Sequence, residues 1–598
     1  MNRVFSLPEN GTMIYRGTAD FYARFIQEKQ LKDRALWQKF VHVFSTREDD
    51  ADNGWRGEYF GKMMRGACLT YRYTQDETLY AVLDETVRAL LCAQDKAGRI
   101  TTYSVDKEFQ GWDMWVRKYV LVGCLYFYDI CKDEALKADI LTALKHHADY
   151  IIERIGEGKR SILDTSEWWG AINSSSILEP IVELYKHTRE ARYLNFAKYL
   201  VESGGCKDGN LITAVEEGKL LPHEFPTTKA YEMMSYFEGI LAYYEVTGEK
   251  KYLELCEKFA DLVNDNEVTV IGCAGCKSEQ FNHSVIAETE PVRDKTIMQE
   301  TCVTVTWMRL QQRLLLDTGA AKYADRMERS ALNALYGAVN LYGIRQFCKE
   351  EKTLLDGVPF DSYSPLVCQP RGIGIGGYKK FSDGGYYGCC ACIGAAGTAL
   401  YPLSSVLKSA NGYAFNFYES GEVRLGEGNA TIAYDAIKGE VAIKFSKMQK
   451  APLFIRFRIP KWAEGPTCEL NGENRSAESG EYLDIERVWQ TGDEVKLSFH
   501  PALRSVKRNG KTSVYFGAYV LCRDEQKENE DIKKPIKISR KEVDYVFDEP
   551  QEGEAIRLRV MTKRGDILFT DYASCGKHWD KPNARISVWF KVKRSIFG

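Results

Sequence analysis

The sequence lacks the features of membrane and nucleic-acid proteins. It has no apolar run near the roughly 18 residues of a membrane-spanning helix, and its first ten residues lack the apolar core of a signal peptide. These absences predict a cytoplasmic protein with no membrane partner. Charge of one sign is not in excess either: 81 Lys and Arg residues balance 84 Asp and Glu residues, and no basic run would follow a phosphate backbone. We therefore expect no nucleic-acid partner.

The cysteines do not form a disulfide framework. The chain has 17 of them, an odd number, scattered through helix-like and strand-like segments. This distribution is typical of a reducing compartment and predicts that most of the cysteines are buried free thiols.

Amphipathic helix patterns dominate up to about residue 408, with apolar residues three and four positions apart. One junction recurs, in which an aromatic residue and a Thr end one helix and a short polar turn leads into the next. It occurs at Tyr71–Tyr80, Leu184–Leu194 and Tyr243–Leu253. A helical hairpin repeated every ~55 to 70 residues indicates about twelve helices. Six hairpins closing into a ring predict an (α/α)6 barrel over residues 1–408.

The pattern then changes to short alternating runs, such as Leu453–Pro460 and Glu494–His500, separated by Asn-Gly and Gly-Asp turns. These runs predict β-sandwiches. We expect the first over residues 409–510, completed by a strand in 585–598, and a second over residues 511–584. The fold class is therefore an (α/α)6 barrel followed by two C-terminal β-sandwich domains.

Two cysteine-containing motifs suggest a metal site. Cys389 and Cys390 are adjacent, and Glu300 and Cys302 are two positions apart. Together they offer three sulfurs and one oxygen, a donor set that suits tetrahedral Zn²⁺. Structural zinc sites usually take Cys pairs separated by two to four residues, so this spacing indicates a metal held for chemistry. From spacing alone, four unrelated buried residues are an equal alternative.

Two other motifs match known binding patterns. The CxxC pair Cys273 and Cys276 could join Cys390 and Cys392 in a closed structural zinc site. The stretch Gly372–Gly377 matches GxGxxG, but no strand-then-helix unit surrounds it. We interpret it as a loop that places the following cysteine pair at the mouth of the barrel.

Carboxylates beside tryptophans offer a metal-free alternative. Asp113 lies between Trp112 and Trp115, and Glu167 precedes Trp168. A separated pair of carboxylates is what an inverting glycosidase uses. The competing interpretation is a helix-capping acid and ordinary packed indoles.

Several motifs together resemble those of a known enzyme family. They are Gly57–Lys62, Lys118–Gly123, Glu300–Cys302, Met327–Asn333, Cys389–Cys390, Phe457–Trp462, Leu470–Glu473 and Arg487–Asp493. With them the chain resembles glycoside hydrolase family 127, the β-L-arabinofuranosidase family of zinc-dependent cysteine glycosidases. The resemblance covers most of the chain and implies the same order of barrel and β-sandwiches.

The resemblance also implies roles for individual residues. Cys389 would be the nucleophile and Glu279 the acid/base, with Glu328 near the bound sugar. Glu300, Cys302 and Cys390 would join Cys389 as ligands of Zn²⁺. The implied activity is retaining, exo-acting release of a non-reducing-end β-L-arabinofuranoside from a carbohydrate substrate, and a homodimer is implied as well.

Three substrate-binding positions depart from the family pattern. Where family members present histidines to the sugar, this sequence has Trp112, Ser174 and Lys229. The fixed positive charge of Lys229 would suit an acidic sugar. Alternatives are therefore the same mechanism on an acidic or other pentose-like sugar from plant polysaccharide, the metal-free inverting glycosidase, and a non-catalytic sugar-binding protein.

Overall fold

The computed structural model covers both predicted regions of the chain. It describes residues 3–290, 299–341, 346–348, 353–355, 360, 366–369, 377–527, 531–538, 544–551, 553–562, 565–577 and 585–594. Residues 372–376, most of the glycine-rich stretch predicted to be a loop, lie outside these described residues.

Six long helices of the described chain form a closed inner ring. They are Gly57–Thr74, Asp113–Tyr128, Leu178–Thr188, Ala230–Thr247, Thr301–Thr318 and Cys389–Ser404. Each contacts the next in this order, and the last contacts the first. Most of their residues are buried on every side, as expected for helices surrounded by others.

Further helices surround this ring. They are Thr18–Ile26, Arg34–Thr46, Glu77–Leu91, Glu134–Arg154, Ala191–Glu202, Lys250–Asn266 and Ala321–Arg329, with shorter ones at Ile172–Ser175, Leu211–Glu217, Ser284–Ala287 and Tyr336–Ala338. The recurring junctions are confirmed: Thr74, Thr188 and Thr247 each end an inner helix, and each is followed by a left-handed residue before an outer helix begins. No helix among the described residues is both long and apolar enough to cross a membrane.

A glycine lets two inner helices approach closely. A Cβ added at Gly61 would lie 1.9 Å from the carbonyl oxygen of Tyr119 on the neighbouring helix. This contact brings Glu58 and Lys62 of one helix beside Trp115 of the other, whose indole N–H donates a hydrogen bond to Glu58.

The first β region consists of two packed sheets. One has the strand order Met13–Tyr15, Gly421–Leu425, Gly428–Asp435, Glu440–Ser446, Glu494–Ser498, Thr467–Leu470 and Glu473–Arg475, and the other has Tyr482–Arg487, Leu453–Arg458, Gly412–Phe415 and Val406–Lys408. Trp489 packs between them, with its ring centroid 4.3 Å from Phe445 and 6.3 Å from Phe457. The sandwich predicted here therefore also takes a strand from the N-terminal segment.

A second β region follows. Its main sheet has the order Leu503–Arg508, Lys511–Phe516, Tyr519–Asp524, Ile567–Asp571, Arg557–Val560 and Tyr545–Phe547. In the same part of the chain, Ile536–Ile538 pairs with Val592–Arg594. Two further pairs precede the last inner helix: Gln346–Cys348 with Thr353–Leu355, and Tyr378–Lys380 with Tyr386–Gly388.

The structure differs from the expected domain limits at two places. Leu503–Arg508 pairs with Lys511–Phe516 through a turn at Asn509 and Gly510, both with positive φ, so a limit at 510 would divide a hairpin. The strand expected to complete the first sandwich instead joins the second region, where Ile586–Ser587 pairs with Tyr519–Asp524. An alternating pattern predicts a strand but does not identify its distant partner.

Arg458 joins the helical region to the first β region. Its fully buried guanidinium contacts Asp325 Oδ1 and Glu328 Oε1, both at 2.6 Å. Trp462 Nε1 also donates to Glu328 Oε2 at 2.8 Å. These contacts connect the strand Leu453–Arg458 to the outer helix Ala321–Arg329.

We expect Arg458→Met to lower the free energy of unfolding by about 3–5 kcal/mol, because it leaves two carboxylates buried without their cation. Arg456→Met on the same strand is the matched control. Arg456 pairs with the partly exposed Asp484, so its loss should cost about 1 kcal/mol or less. Urea denaturation of both variants measures the difference, and equal destabilisation would contradict the assigned role of Arg458.

Candidate functional site

Two neighbouring inner helices bring their N-termini to one place. Glu300 is the N-cap of Thr301–Thr318, and Cys389 is the first residue of Cys389–Ser404. The backbone N–H of Cys389 donates to the carbonyl oxygen of Gly377 at 3.1 Å, which fixes the start of its helix. A helix N-terminus carries a partial positive charge and favours thiolates and carboxylates.

The predicted metal ligands converge at these N-termini. One ligand atom from each of Glu300, Cys302, Cys389 and Cys390 lies within 4.8 Å of every other, and all four residues are buried. The sulfur of Cys302 is 3.3 Å from the sulfurs of both Cys389 and Cys390. Cys390 Sγ is 3.2 Å from Glu300 Oε1. We call these four residues the Cys/Glu cluster.

The electrostatics of the Cys/Glu cluster fit a bound cation. Burial raises the pKa values of Glu300, Cys302 and Cys390 well above their ordinary values. Hydrogen bonds from Cys302 and Cys390 lower the pKa of Cys389, and the nearby charge of Lys62 acts in the same direction. Four acidic donors in one buried space cannot all ionise without compensation. A bound metal ion would supply the compensating positive charge. Three sulfurs with one oxygen are a donor set that binds divalent metals.

The rival zinc site is wrong. Cys273 Sγ donates to the carbonyl oxygens of Gly275 and Glu300, while Cys276 Sγ contacts Asn282 and Ser284. Within the described ranges, the Cys/Glu cluster is the one group of His, Cys, Asp and Glu residues that could hold a metal. Burial raises the pKa of Cys273 to about 12, as for an inert thiol.

Glu279 lies beside the Cys/Glu cluster, and its negative charge contributes to the raised pKa of Glu300. Ser278 and Glu279 both have positive φ, and the Glu279 carbonyl oxygen accepts from Ala230 N at 2.8 Å. Its Oε2 forms an ion pair with Lys229 Nζ. Its Oε1 is buried and has no hydrogen-bond partner among the described residues. One carboxylate oxygen is thus held by Lys229, and the other is left without a protein hydrogen bond among the described residues.

Lys229 is the cation at the centre of this arrangement. Burial opposes its charge, but Glu232 and Glu279 outweigh burial and raise its pKa above the ordinary value. The ammonium also lies 4.6 Å from the ring centroid of Trp169. The predicted sugar-binding lysine therefore contacts the predicted acid/base.

The other departures from the family pattern lie on the barrel wall. Trp112 directly precedes the inner helix Asp113–Tyr128, and its ring contacts Trp115 at 6.0 Å. Ser174 lies in Ile172–Ser175, and its buried hydroxyl has no hydrogen-bond partner in the described part of the chain. Neither residue directly contacts the Cys/Glu cluster in the hydrogen bonds and ring contacts of the described residues.

Glu328 is not brought to this site. Both of its carboxylate oxygens accept hydrogen bonds at the junction with the first β region, from Arg458 and Trp462. No described hydrogen bond or ion pair joins Glu328 to the Cys/Glu cluster, and its place near the sugar stays a prediction.

The metal-free carboxylate pair is not arranged for catalysis. Asp113 is fully buried and accepts from Thr101 Oγ1, from Phe109 N at 2.8 Å and from Arg117 Nε at 2.9 Å. Glu167 is exposed, with Oε2 accepting from Gly111 N at 3.1 Å. Asp113 thus has the structural role of a helix-start acid.

Sequence reasoning missed Glu58 and Lys62. The Lys62 ammonium is 3.0 Å from Glu58 Oε1 and 4.4 Å from the Tyr231 ring centroid. Burial raises the pKa of Glu58 to about 8, and the negative charge of Cys389 adds to this shift. The signal available in the sequence was a Glu and a Lys four positions apart on a helix whose other residues are mostly apolar or small.

Comparisons with known proteins agree with this geometry. A model of the β-L-arabinofuranosidase GH127 catalytic domain matches residues 20–348, and a model of the GH127 middle domain matches residues 413–500. No curated protein sequence matches the chain.

Solved structures show the same fold. A GH127 β-arabinofuranosidase superimposes with a TM-score of 0.75 at 17% identity, covering 98% of both chains. A GH127 β-L-arabinofuranosidase from Geobacillus stearothermophilus T6 has a TM-score of 0.73 at 16% identity, covering 98% of this chain and 100% of that one. A third structure, a glycoside hydrolase, has a TM-score of 0.73 at 16% identity, covering 99% and 98%. These likenesses establish an (α/α)6 barrel followed by β domains.

We expect the purified protein to carry about one divalent metal ion per chain, the stoichiometry of a single four-donor site. Cys390→Ala should lose this metal because it removes a thiolate ligand. Cys392→Ala is the matched control, since Cys392 is also buried on the same helix but lies outside the Cys/Glu cluster. Elemental analysis after dialysis measures the content, with circular dichroism as a folding check. Equal metal content in the two folded variants would contradict the site.

Proposed function

The chain belongs to glycoside hydrolase family 127, and from this premise we propose that it is a retaining, exo-acting hydrolase that releases a non-reducing-end β-L-arabinofuranoside. The observation that carries the proposal is the convergence of Cys389 and Glu279 on one site. Cys389 is 5% exposed, whereas Cys302 and Cys390 are 0% exposed. The cysteine proposed as nucleophile is therefore the one of the three that keeps some exposure to solvent.

We propose Zn²⁺ as the metal of the Cys/Glu cluster. Its ligands would be Glu300, Cys302, Cys389 and Cys390, whose three sulfurs and one oxygen match zinc chemistry. When bound, zinc would keep Cys389 as a thiolate at neutral pH.

The proposed reaction has two displacements. Glu279 donates a proton to the leaving-group oxygen while Cys389 Sγ attacks the anomeric carbon, so the glycosidic C–O bond breaks and a C–S bond forms. Glu279 then removes a proton from water, which attacks the same carbon and releases Cys389. Two inversions retain the configuration. Oε1 of Glu279 is the oxygen that suits proton transfer, because Lys229 holds Oε2.

The surroundings of Lys229 favour a neutral sugar over an acidic one. A lysine free to bind a sugar carboxylate would need an uncompensated charge. Here Glu279 pairs with the ammonium, and the charge of Glu232 also acts on it. The acidic-sugar alternative therefore loses its supporting observation. The non-catalytic alternative is not retained, because the family is one of glycoside hydrolases.

The first test removes the two proposed catalytic groups. Cys389→Ala should lower kcat/KM on a β-L-arabinofuranoside by several powers of ten, and Glu279→Gln by about 10²–10⁴-fold. Cleavage of an aryl glycoside with a very good leaving group needs little proton donation. On such a substrate the rate of the first displacement should therefore fall less for Glu279→Gln, whereas the fall for Cys389→Ala should be as large as before.

Initial rates measure these effects, and the anomeric signal of the first product in NMR reports retention. Cys392→Ala serves as the control for substituting a buried cysteine of the same helix. Near-normal turnover by both Cys389→Ala and Glu279→Gln, or an inverted product, would refute the mechanism.

The second test concerns Lys229 as the residue that positions Glu279. Lys229→Met should lower kcat by about 10²-fold, because misplacing a catalytic group by about 1 Å has this effect. Lys229→Arg should recover part of the rate by restoring a donor to Glu279. Metal content should stay unchanged in both variants. The control is Lys322→Met, which removes an ion pair to Asp261 on an outer helix. A wild-type rate in Lys229→Met would exclude the positioning role.

A further inference from the structure

A row of tryptophans leads from the site to the surface. Successive ring centroids are 5.6 Å apart from Trp55 to Trp112, 5.8 Å from Trp112 to Trp169 and 5.8 Å from Trp169 to Trp168. We call these four residues the tryptophan wall. Trp112 is buried, with 9% exposure, Trp55 and Trp169 are partly buried, and Trp168 is 42% exposed. The wall therefore offers an open aromatic face at its outer end.

The wall meets the site on the side of Glu279. Lys229 Nζ lies 4.6 Å from the Trp169 ring centroid and pairs with Glu279 Oε2. A general acid lies next to the leaving group that it protonates. If Glu279 is that acid, Trp169 and Trp168 lie on the leaving-group side of the bond that is cleaved.

The backbone that presents these indoles is strained. Trp169, Gly170 and Ala171 are consecutive left-handed residues, with φ values of 45°, 61° and 63°. For a residue other than glycine this conformation costs about 1–2 kcal/mol, and such strain concentrates at functional sites. Surrounding contacts hold the segment: Lys207 N donates to the Gly170 carbonyl oxygen at 2.8 Å, and a Cβ at Gly170 would lie 2.4 Å from Cys206 Sγ.

Burial alone does not account for this arrangement, because the segment leaves Trp168 42% exposed. An indole face combines apolar area with rigidity, which suits stacking against the C–H face of a sugar ring. The adjacent Glu167 is also exposed and offers a carboxylate to sugar hydroxyls. A flat ring beside a hydrogen-bond acceptor is suited to a neutral sugar.

We propose that Trp168 and Trp169 form a subsite that stacks a neutral sugar ring of the leaving group. The preferred substrates are then oligosaccharides or glycoconjugates with a sugar on both sides of the cleaved bond. This inference rests on the proposed function, because the assignment to the leaving-group side requires Glu279 to be the acid.

The kinetic test compares two substrates with the same non-reducing-end sugar. One is an arabinofuranosyl disaccharide or trisaccharide, and the other is the methyl glycoside, whose leaving group has no ring. Trp168→Ala should raise KM for the oligosaccharides about tenfold, a loss of one stacking contact, with little change in kcat and none for the methyl glycoside. Phe21→Ala, which removes an aromatic ring that is 52% exposed on the N-terminal helix Thr18–Ile26, is the control.

Equal effects of Trp168→Ala on both substrates, or no effect on either, would overturn the subsite. Light scattering tests whether a second copy of the chain occupies this surface instead of a sugar. If Trp168→Ala dissociates an oligomer, a second copy covers the indole and the proposal is wrong.

A binding test separates this inference from the proposed function. Linear neutral di- and trisaccharides of arabinose, xylose and galactose are titrated into the wild type and Trp168→Ala. If the wild type binds at least one series about tenfold more tightly than Trp168→Ala does, the result supports the subsite. Such binding without hydrolysis of any arabinofuranoside would contradict only the proposed function. Hydrolysis of arabinofuranosides with identical oligosaccharide binding by both proteins would contradict only the subsite.

Discussion

The meeting of two inner-helix N-termini is the constraint on which the proposed chemistry depends. Cys302 and Cys389 are 87 positions apart in the sequence, yet their sulfurs lie 3.3 Å apart because their helices are neighbours in the ring. The partial positive charge at each N-terminus favours ionised acids there. Closing the ring thus gathers donors that would repel one another when ionised, and a bound metal ion would relieve that repulsion.

The same crowding of acids explains the role of Lys229. Glu232, Glu279 and Glu300 all act on its ammonium group. Burial raises the pKa of Glu232 to about 7, and the charge of Lys229 opposes this shift. A permanently charged lysine balances these acids better than a histidine, which would be largely neutral at neutral pH. The charge of Lys229 therefore acts directly on the electrostatics around the proposed acid/base.

Local patterns predicted the fold well, because helix ends and turns are encoded by neighbouring residues. Thr188 and the left-handed residue after it end an inner helix where the repeated junction indicated. Spacing and family motifs also pointed to the four residues that converge in the Cys/Glu cluster. Long-range partners were not predicted. Glu328 contacts Arg458 of a distant strand, and Ile586–Ser587 pairs with the second β region. Such pairings depend on tertiary packing, which no local pattern records.

The barrel interior also bears on whether the proposed metal would serve chemistry or stability. Inner helices are joined by buried ion pairs: Arg309 and Arg313 of one helix contact Glu179 of a second at 2.7 and 2.9 Å, and Arg313 contacts Glu245 of a third at 3.2 Å. Together with an extensive apolar core, these contacts hold the ring without help from the Cys/Glu cluster. Structural zinc is needed where a domain is too small to bury a sufficient core, a condition that this barrel does not meet. The fold does not require the Cys/Glu cluster, whose member Cys389 is 5% exposed, so the cluster is better explained by chemistry than by stability.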